Sequence, residues 1–192
     1  QWQHIVDTTD IGQYAYETNQ VNQRKIRNLA LKYIAVANQT HTSALLTNHF
    51  NDADNMTDSL GVLNAAQLGS LTDFDTLMAK FEERWSHDPL VLDKWFALHA
   101  NTARDDILAR IDILKAHDQF TLSNPNRVRA VIGSFAFFNV LGFHNKNGSG
   151  YKFVADHIIK LNEINPQVAS RIITPLIQCP PAPPPPSPTR LI

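Results

Sequence analysis

The chain has only one cysteine, Cys179, among its 192 residues. A single cysteine can form neither an intramolecular disulfide nor a cysteine-based zinc cage, so both kinds of scaffold are excluded within one chain. Positive charge is not in excess either, because 17 lysines and arginines are matched by 18 acidic residues and the formal net charge is −1. Electrostatic binding to nucleic acid or to anionic lipid needs a basic excess or stripe, and we therefore expect neither partner.

Long apolar runs are also missing. No segment approaches the ~20 apolar residues of a membrane-spanning helix. The N-terminal sequence QWQHIVDTTDIG contains no basic region followed by an apolar run, which a secretory signal would have. Together with the single cysteine, these absences predict a soluble, cytoplasmic protein. Its 43% hydrophobic content is enough for one sizeable core.

Helical periodicity is what the sequence offers instead. Apolar residues at helical spacing form one stripe of Ile26, Leu29, Ala30, Tyr33, Ile34 and Ala37 and another of Ile107, Leu108, Ile111 and Leu114. Strand alternation bounded by turn signals is nowhere convincing, so the predicted fold class is all-α. Further helices are expected near 43–50, 56–68, 73–85, 89–100, 125–138, 150–163 and 166–177.

Three of these predicted helices begin with the same two-residue pattern. Asp88-Pro89, Asn124-Pro125 and Asn165-Pro166 each place a capping side chain before a proline at the first helical position, at intervals of 36 and 41 residues. Such intervals are typical of helix-pair repeats. They favour a superhelical stack of antiparallel helix pairs, a HEAT- or armadillo-like α-solenoid, over simple antiparallel helices joined by short loops. Thr72 and Thr102 add predicted capping boxes.

The segment from Thr121 to Gly133, TLSNPNRVRAVIG, carries two arginines that an ordinary helix start does not require. Ser123 or Asn124 can cap this helix. Arg127 and Arg129 then stand in its first turns, where the helix dipole disfavours positive charge. A carboxylate partner elsewhere would explain each arginine, and two solvated arginines on a polar face remain the alternative.

Catalytic and metal-binding motifs are missing from the sequence. None of its eight histidines begins a His-Glu-x-x-His motif. Asp52, Asp54 and Asp58 resemble a calcium-ligand series, but Met56 and Thr57 occupy positions that an EF-hand loop needs for a ligand and a glycine. Helix capping by Asn55 explains this cluster more simply. We therefore predict no catalytic residue and no metal ligand in this chain.

The C-terminal residues 179–192, CPPAPPPPSPTRLI, hold seven of the eleven prolines. This composition favours an extended polyproline II segment and cannot continue a helix, so the folded part is expected to end near Gln178. The tail could bind an SH3-type partner, serve as a linker, or be non-native.

Five blocks of the sequence, in order, resemble the C-terminal helical domain of bacterial aminopeptidase N, the alanyl aminopeptidase of the gluzincin zinc metallopeptidases. The blocks are NMTDSLGVL (55–63), FEERWSHDPLVLDKWFALHA (81–100), TLSNPNRVRAVIGSFA (121–136), the loop 144–151 ending GSGY, and NPQVASRIITPLI (165–177). The resemblance covers about residues 24–178, which leaves 1–23 as a boundary or partial helix. It weakens at both ends, because residues 1–23 match only weakly and family members continue past PLI with charged helices where this chain turns into polyproline.

The resemblance implies a domain that encloses the active-site chamber and restricts access to it. The zinc ligands and the catalytic groups would lie in another domain of the same enzyme, so the implied partners are that catalytic domain and the peptide substrate. Arg129 matches a family arginine that faces the catalytic domain, and Arg171 matches another near the substrate-facing surface. Asn126 and Arg127 are placed on the chamber wall by the same motif. An autonomous α-solenoid that binds a protein or peptide is the alternative function.

Overall fold

The computed structural model describes residues 1–9, 12–37 and 41–178, and all regular structure in these residues is helical. The elements in chain order are α1 (Trp2–Thr8), α2 (Thr18–Ala37), α3 (Thr42–Asp52), α4 (Met56–Leu68), α5 (Phe74–Trp85), α6 (Pro89–Ala100), α7 (Ile107–Lys115), α8 (Pro125–Val128), a π-helical stretch (Arg129–Gly133), α9 (Ser134–Phe138), α10 (Val140–Phe143), α11 (Ser149–Ile164), α12 (Pro166–Ile172) and α13 (Thr174–Gln178). The predicted all-α class is confirmed.

The helices are stacked along the chain. α2 packs on α4, α4 on α5, and α5 on α6. α6 in turn lies against α8, the π stretch and α9, which follow one another without a break, and α12 packs on both α11 and the π stretch. Each helix thus packs on helices that lie close to it in the chain, which is the arrangement of the predicted α-solenoid.

The three predicted cap-and-proline starts are confirmed. The side chain of Asp88 accepts hydrogen bonds from the backbone N–H groups of Leu90 and Val91, at 2.9 and 3.2 Å. Asn124 and Asn165 cap α8 and α12 in the same way. These side chains satisfy N–H groups that have no partner inside the helix.

The predicted capping boxes at Thr72 and Thr102 are wrong. α5 and α7 have Asp73 and Asp106 at their N-caps, and neither side chain makes a cap hydrogen bond. The hydroxyl of Thr102 instead donates to the backbone carbonyl of Leu98 at 3.0 Å, at the end of the preceding helix.

The predicted stripe of α2 is divided between two faces. Ala30 and Ile34 are buried in the core, whereas Ile26, Leu29 and Tyr33 are 46%, 45% and 51% exposed. The expectation of a single buried stripe is therefore correct for only two of its six positions, because the neighbouring helix α4 covers one side of α2.

The predicted start of the domain, at residue 24, falls inside a helix. α2 begins at Thr18 and continues through residue 24 without interruption, and α1 precedes it. The predicted proline-rich tail, residues 179–192, lies outside the described residues. Within the described ranges, no helix has both the length and the apolar character that a bilayer crossing requires.

Candidate functional site

The start of α8 lies beside the start of α6. Asn124 accepts hydrogen bonds from the N–H groups of Asn126 and Arg127, at 3.0 and 3.3 Å, and Pro125 occupies the first turn. The Arg127 Nη1 group donates to the carbonyl of Pro89, the first residue of α6, at 3.3 Å. Two capped helix starts therefore lie at the same edge of the stack.

Arg127 lies inside the domain, with 1% of its surface exposed. Its Nη1 group is 2.5 Å from Asp93 Oδ1, and its Nε group donates to the carbonyl of Gln119 at 3.1 Å. The guanidinium also lies over the Phe96 ring, 4.8 Å from its centroid. These contacts supply the carboxylate partner that the helix position of Arg127 predicted.

This burial changes the role expected for Arg127. Because its guanidinium is enclosed by contacts within the chain, we assign it to internal packing and not to a chamber wall. Asp93, on α6, is only partly exposed: burial raises the pKa of its carboxyl, and the charge and hydrogen bond of Arg127 oppose that rise.

Asn126 and Arg129 point outward from the same helix start. Both are exposed, and Arg129 Nη1 donates to Asn126 Oδ1 at 3.0 Å. No carboxylate among the described residues lies within ion-pair distance of Arg129, although it is close to the positive end of the helix dipole. The structure thus leaves this arginine with an amide as its side-chain partner.

A π-helical stretch begins at Arg129. The N–H group of Ser134 donates to the carbonyl of Arg129, five residues earlier, which is the hydrogen bond of a π-helix. Ala130 to Gly133 are buried. Sequence reasoning did not anticipate this stretch, because its residues have no signature that separates them from an ordinary helix.

Arg171 lies on α12, which packs on the π stretch. Its side chain is exposed, and no hydrogen bond or ion pair joins it to the part of the chain that the structure describes. Arg129 and Arg171 therefore occupy neighbouring elements, and both are exposed, with no carboxylate partner in the described ranges.

A second polar cluster, centred on Asp75, was not predicted. Its carboxylate forms ion pairs with Arg104, at 3.2 Å, and with Arg110. Arg110 Nε also donates to His99 Nδ1 at 3.3 Å. Burial and the positive charge of Arg110 lower the pKa of His99 to about 3. This histidine is therefore neutral in the folded protein near neutral pH.

The aspartate series near α4 also has an internal explanation. Asp58 is buried and pairs with Arg27 at 2.8 Å and with Arg24 at 3.5 Å. Asn55 caps α4 by accepting from the Asp58 N–H group, as predicted. Across residues 1–9, 12–37 and 41–178, no three His, Cys, Asp or Glu side chains converge as a set of metal ligands.

Stacked helix pairs with short capped starts define a helical-repeat domain. A family model described as "Domain of unknown function (DUF3458_C) ARM repeats" matches residues 1–182. The chain therefore belongs to this family of ARM-repeat domains, in agreement with the solenoid predicted from its sequence.

Comparison with characterised proteins places the similarity in aminopeptidases. The chain is 46% identical over 168 residues to aminopeptidase N of Haemophilus influenzae and 40% identical over 167 residues to aminopeptidase N of Escherichia coli. These matches cover 88% and 87% of the chain but 19% of each relative, in its C-terminal part. The predicted resemblance is confirmed, and the chain spans about a fifth of the length of these relatives.

A solved structure gives the same result. The crystal structure of Legionella pneumophila aminopeptidase A in complex with aspartic acid matches with a TM-score of 0.79 and 28% identity. The match covers 91% of the chain and 21% of the Legionella protein. Fold and sequence similarity thus agree that the chain resembles one part of each of these larger aminopeptidases.

Proposed function

We propose that this chain is the C-terminal domain of a zinc-dependent aminopeptidase that removes N-terminal amino acids from peptides. In this proposal the domain encloses the active-site chamber and controls access to it. Zinc and the catalytic groups belong to a domain outside this chain, and a cytoplasmic location stays a prediction. Similarity to the C-terminal part of aminopeptidase N carries the assignment to such an enzyme.

The contrast between two arginines supports the proposed contact with the catalytic domain. Arg127 is neutralised within the chain by Asp93, whereas Arg129 has no carboxylate partner in the described residues. Its guanidinium stands near a helix start, where the dipole disfavours it. A carboxylate on the catalytic domain would form the missing ion pair, and Asn126 would help to orient the guanidinium.

Arg171 extends the proposed contact surface. It lies on α12 against the π stretch that begins with Arg129, and its side chain is exposed. Two guanidinium groups on neighbouring elements can attract carboxylates of the catalytic domain or of a peptide. This surface is proposed to bind and position, without a bond-making role.

A hybrid enzyme tests the proposal. The chain replaces the matching C-terminal residues of H. influenzae aminopeptidase N, and Arg129→Ala is compared with Arg84→Ala, a change at an exposed arginine on α5. We expect Arg129→Ala to raise KM for peptides roughly three- to tenfold, with kcat changed by less than about twofold, because it weakens domain closure and not the chemical step.

Other outcomes would contradict this assignment. A fall in kcat with KM unchanged would mean that Arg129 acts on the chemical step. Loss of bound zinc, measured by atomic emission, would mean that it supports the metal site. If Arg84→Ala gave the same rise in KM, the effect would not be specific to the proposed surface.

A further inference from the structure

One apolar side of α2 is left exposed by the described part of the chain. Ile26, Leu29, Tyr33 and Val36 are between 45% and 59% exposed. Their spacing of three, four and three residues places them within an arc of about 80° on the helix, over a length of about 15 Å. They form one continuous seam, which we call the outer stripe of α2.

The outer stripe is separate from the face that α2 buries. Ala30, Leu31, Ile34 and Ala35 have 7% exposure or less and lie on the side of α2 that packs on α4. A surface helix of a globular protein normally has one apolar stripe, with polar residues opposite to it. A second stripe on the other side is typical of a helix between two neighbours.

The outer stripe already accepts an apolar group from the chain itself. The Trp2 ring, in α1, stacks on Tyr33 with a centroid distance of 4.3 Å and an interplanar angle of 1°. α1 therefore contacts the stripe at Tyr33, which is still 51% exposed. In a longer polypeptide, the segment before Gln1 would enter the fold beside this same stripe.

We propose that the outer stripe of α2 is the docking face for an amphipathic helix from the preceding part of an aminopeptidase N-type polypeptide. The stripe would thus join this chain to an earlier unit of the same solenoid. About four fifths of each curated relative lies outside the match, and the match is in the C-terminal part, so the relatives supply the preceding residues. The inference does not depend on the proposed role of Arg129.

The charges beside the outer stripe favour this occupant over a second copy. Lys25 and Lys32 are seven residues apart, on one flank of the stripe, and have no ion pair among the described residues. Two copies packed antiparallel through the stripe would align these lysines with each other. A helix that carries carboxylates beside its apolar seam would instead pair with them, as flanking charges do in coiled coils.

Thiol accessibility tests the proposal in two proteins. Leu29→Cys and, as the control, Ile113→Cys are each made in a Cys179→Ser background, in the chain alone and in the H. influenzae hybrid. Ile113 is 71% exposed on α7. Maleimide labelling of each position is followed by peptide mass spectrometry.

We expect the thiol at position 29 to react roughly tenfold or more slowly in the hybrid than in the chain alone, because a packed helix must open before the reagent can enter. The thiol at position 113 should react at the same rate in both proteins. Equal reactivity of position 29 in the two proteins would overturn the proposal. Protection in the chain alone, with a dimer seen by sedimentation, would assign the stripe to a second copy and would also overturn it.

A stability measurement tests, without the hybrid, whether the outer stripe is uncovered in the chain alone. In the chain alone, Ile26→Gln and Ile113→Gln should each change the Tm by no more than about 4 °C, because neither side chain is packed in a core. A much larger fall for Ile26→Gln than for Ile113→Gln would show that the stripe is already covered, which would overturn the proposal.

Discussion

Arg127 and Arg129 belong to one motif, yet one is inside the domain and the other is on its surface. Residues two apart on a helix point about 200° apart, so Arg127 and Arg129 lie on nearly opposite sides of it. Arg127 faces α6, where the Asp93 carboxylate and the carbonyl of Pro89 accept hydrogen bonds from its guanidinium. Arg129 faces outward, with Asn126 as its side-chain partner. The same residue type thus serves packing at one position and is available for binding at the other.

The Arg127–Asp93 pair should be strongly non-additive in stability. We expect Asp93→Leu alone to lower the free energy of unfolding by about 3 to 5 kcal/mol, because it leaves a buried guanidinium without a counter-charge. The double change with Arg127→Met should cost at least about 1 kcal/mol less than the sum of the single changes. Urea unfolding measures all three. Arg129→Met is the control and should stay within about 0.5 kcal/mol, and additive single changes would contradict the internal ion pair.

His99 should make stability depend on pH. Burial disfavours the charged ring and the positive charge of Arg110 adds to this effect, so the pKa of His99 is about 3 in the fold against an ordinary value near 6.5. Below pH 6.5 the unfolded chain therefore binds a proton that the folded chain does not, and stability falls. We expect a loss of about 2 kcal/mol from this group between pH 7 and pH 5.

Chemical denaturation at pH 7 and pH 5 measures this loss, with His99→Gln as the comparison because glutamine keeps a hydrogen-bond acceptor. The variant should be less sensitive to pH than the unchanged chain. Some dependence should persist, because burial also lowers the pKa values of His49 and His157. An unchanged pH dependence in His99→Gln would contradict the role assigned to His99.

At the level of helices, α11 begins in close contact with α10, and Gly150 permits it. A Cβ atom at Gly150 would lie 2.4 Å from the carbonyl oxygens of both Gly142 and Phe143, which are backbone atoms that cannot rotate away. Gly150→Ala should therefore separate the two helices and destabilise the chain by about 1 to 3 kcal/mol. Thermal unfolding measures the change.

Gly133 is the matched control, because it too is a helical glycine in the interior. The nearest atom to a Cβ there would be Arg129 Cβ, at 3.7 Å, which is ordinary van der Waals contact. Gly133→Ala should be neutral or stabilise by up to about 1 kcal/mol, since alanine restricts the unfolded chain and favours the helix. Equal destabilisation by both changes would mean that space at Gly150 is not the deciding factor.

These elements also show which features can be predicted from the sequence. The cap-and-proline starts were predictable because capping depends on residues within one helical turn. The partner of Arg127 was not, because Asp93 lies 34 positions away and only packing brings the two together. The π stretch had no local signal. The periodicity of α2 correctly identified apolar positions but could not show which of them α4 covers and which stay exposed.

On the scale of the whole molecule, the core is a row of interfaces between successive helices, not a single centre. It extends from Val6 in α1 to Ile172 in α12. Within the described residues, α13 has no buried residue, although its Leu176 packs partly against the core. In a stack of this kind each interface contributes its own share of stability. Substitutions in α12 and in α13 should therefore differ sharply in their effect on the free energy of unfolding.

Ile172 and Ile177 test where this core ends. Ile172 is 2% exposed in α12, and Ile177 is 71% exposed in α13. We expect Ile172→Ala to lower the free energy of unfolding by about 2 to 5 kcal/mol, because it leaves a cavity in the core. Ile177→Ala should change the free energy of unfolding by no more than about 0.5 kcal/mol, since the side chain loses little contact.

The urea midpoints of the two variants measure this difference in stability. Similar losses at both positions would mean that α13 is packed as firmly as α12, and that the folded stack continues beyond the interface that Ile172 closes.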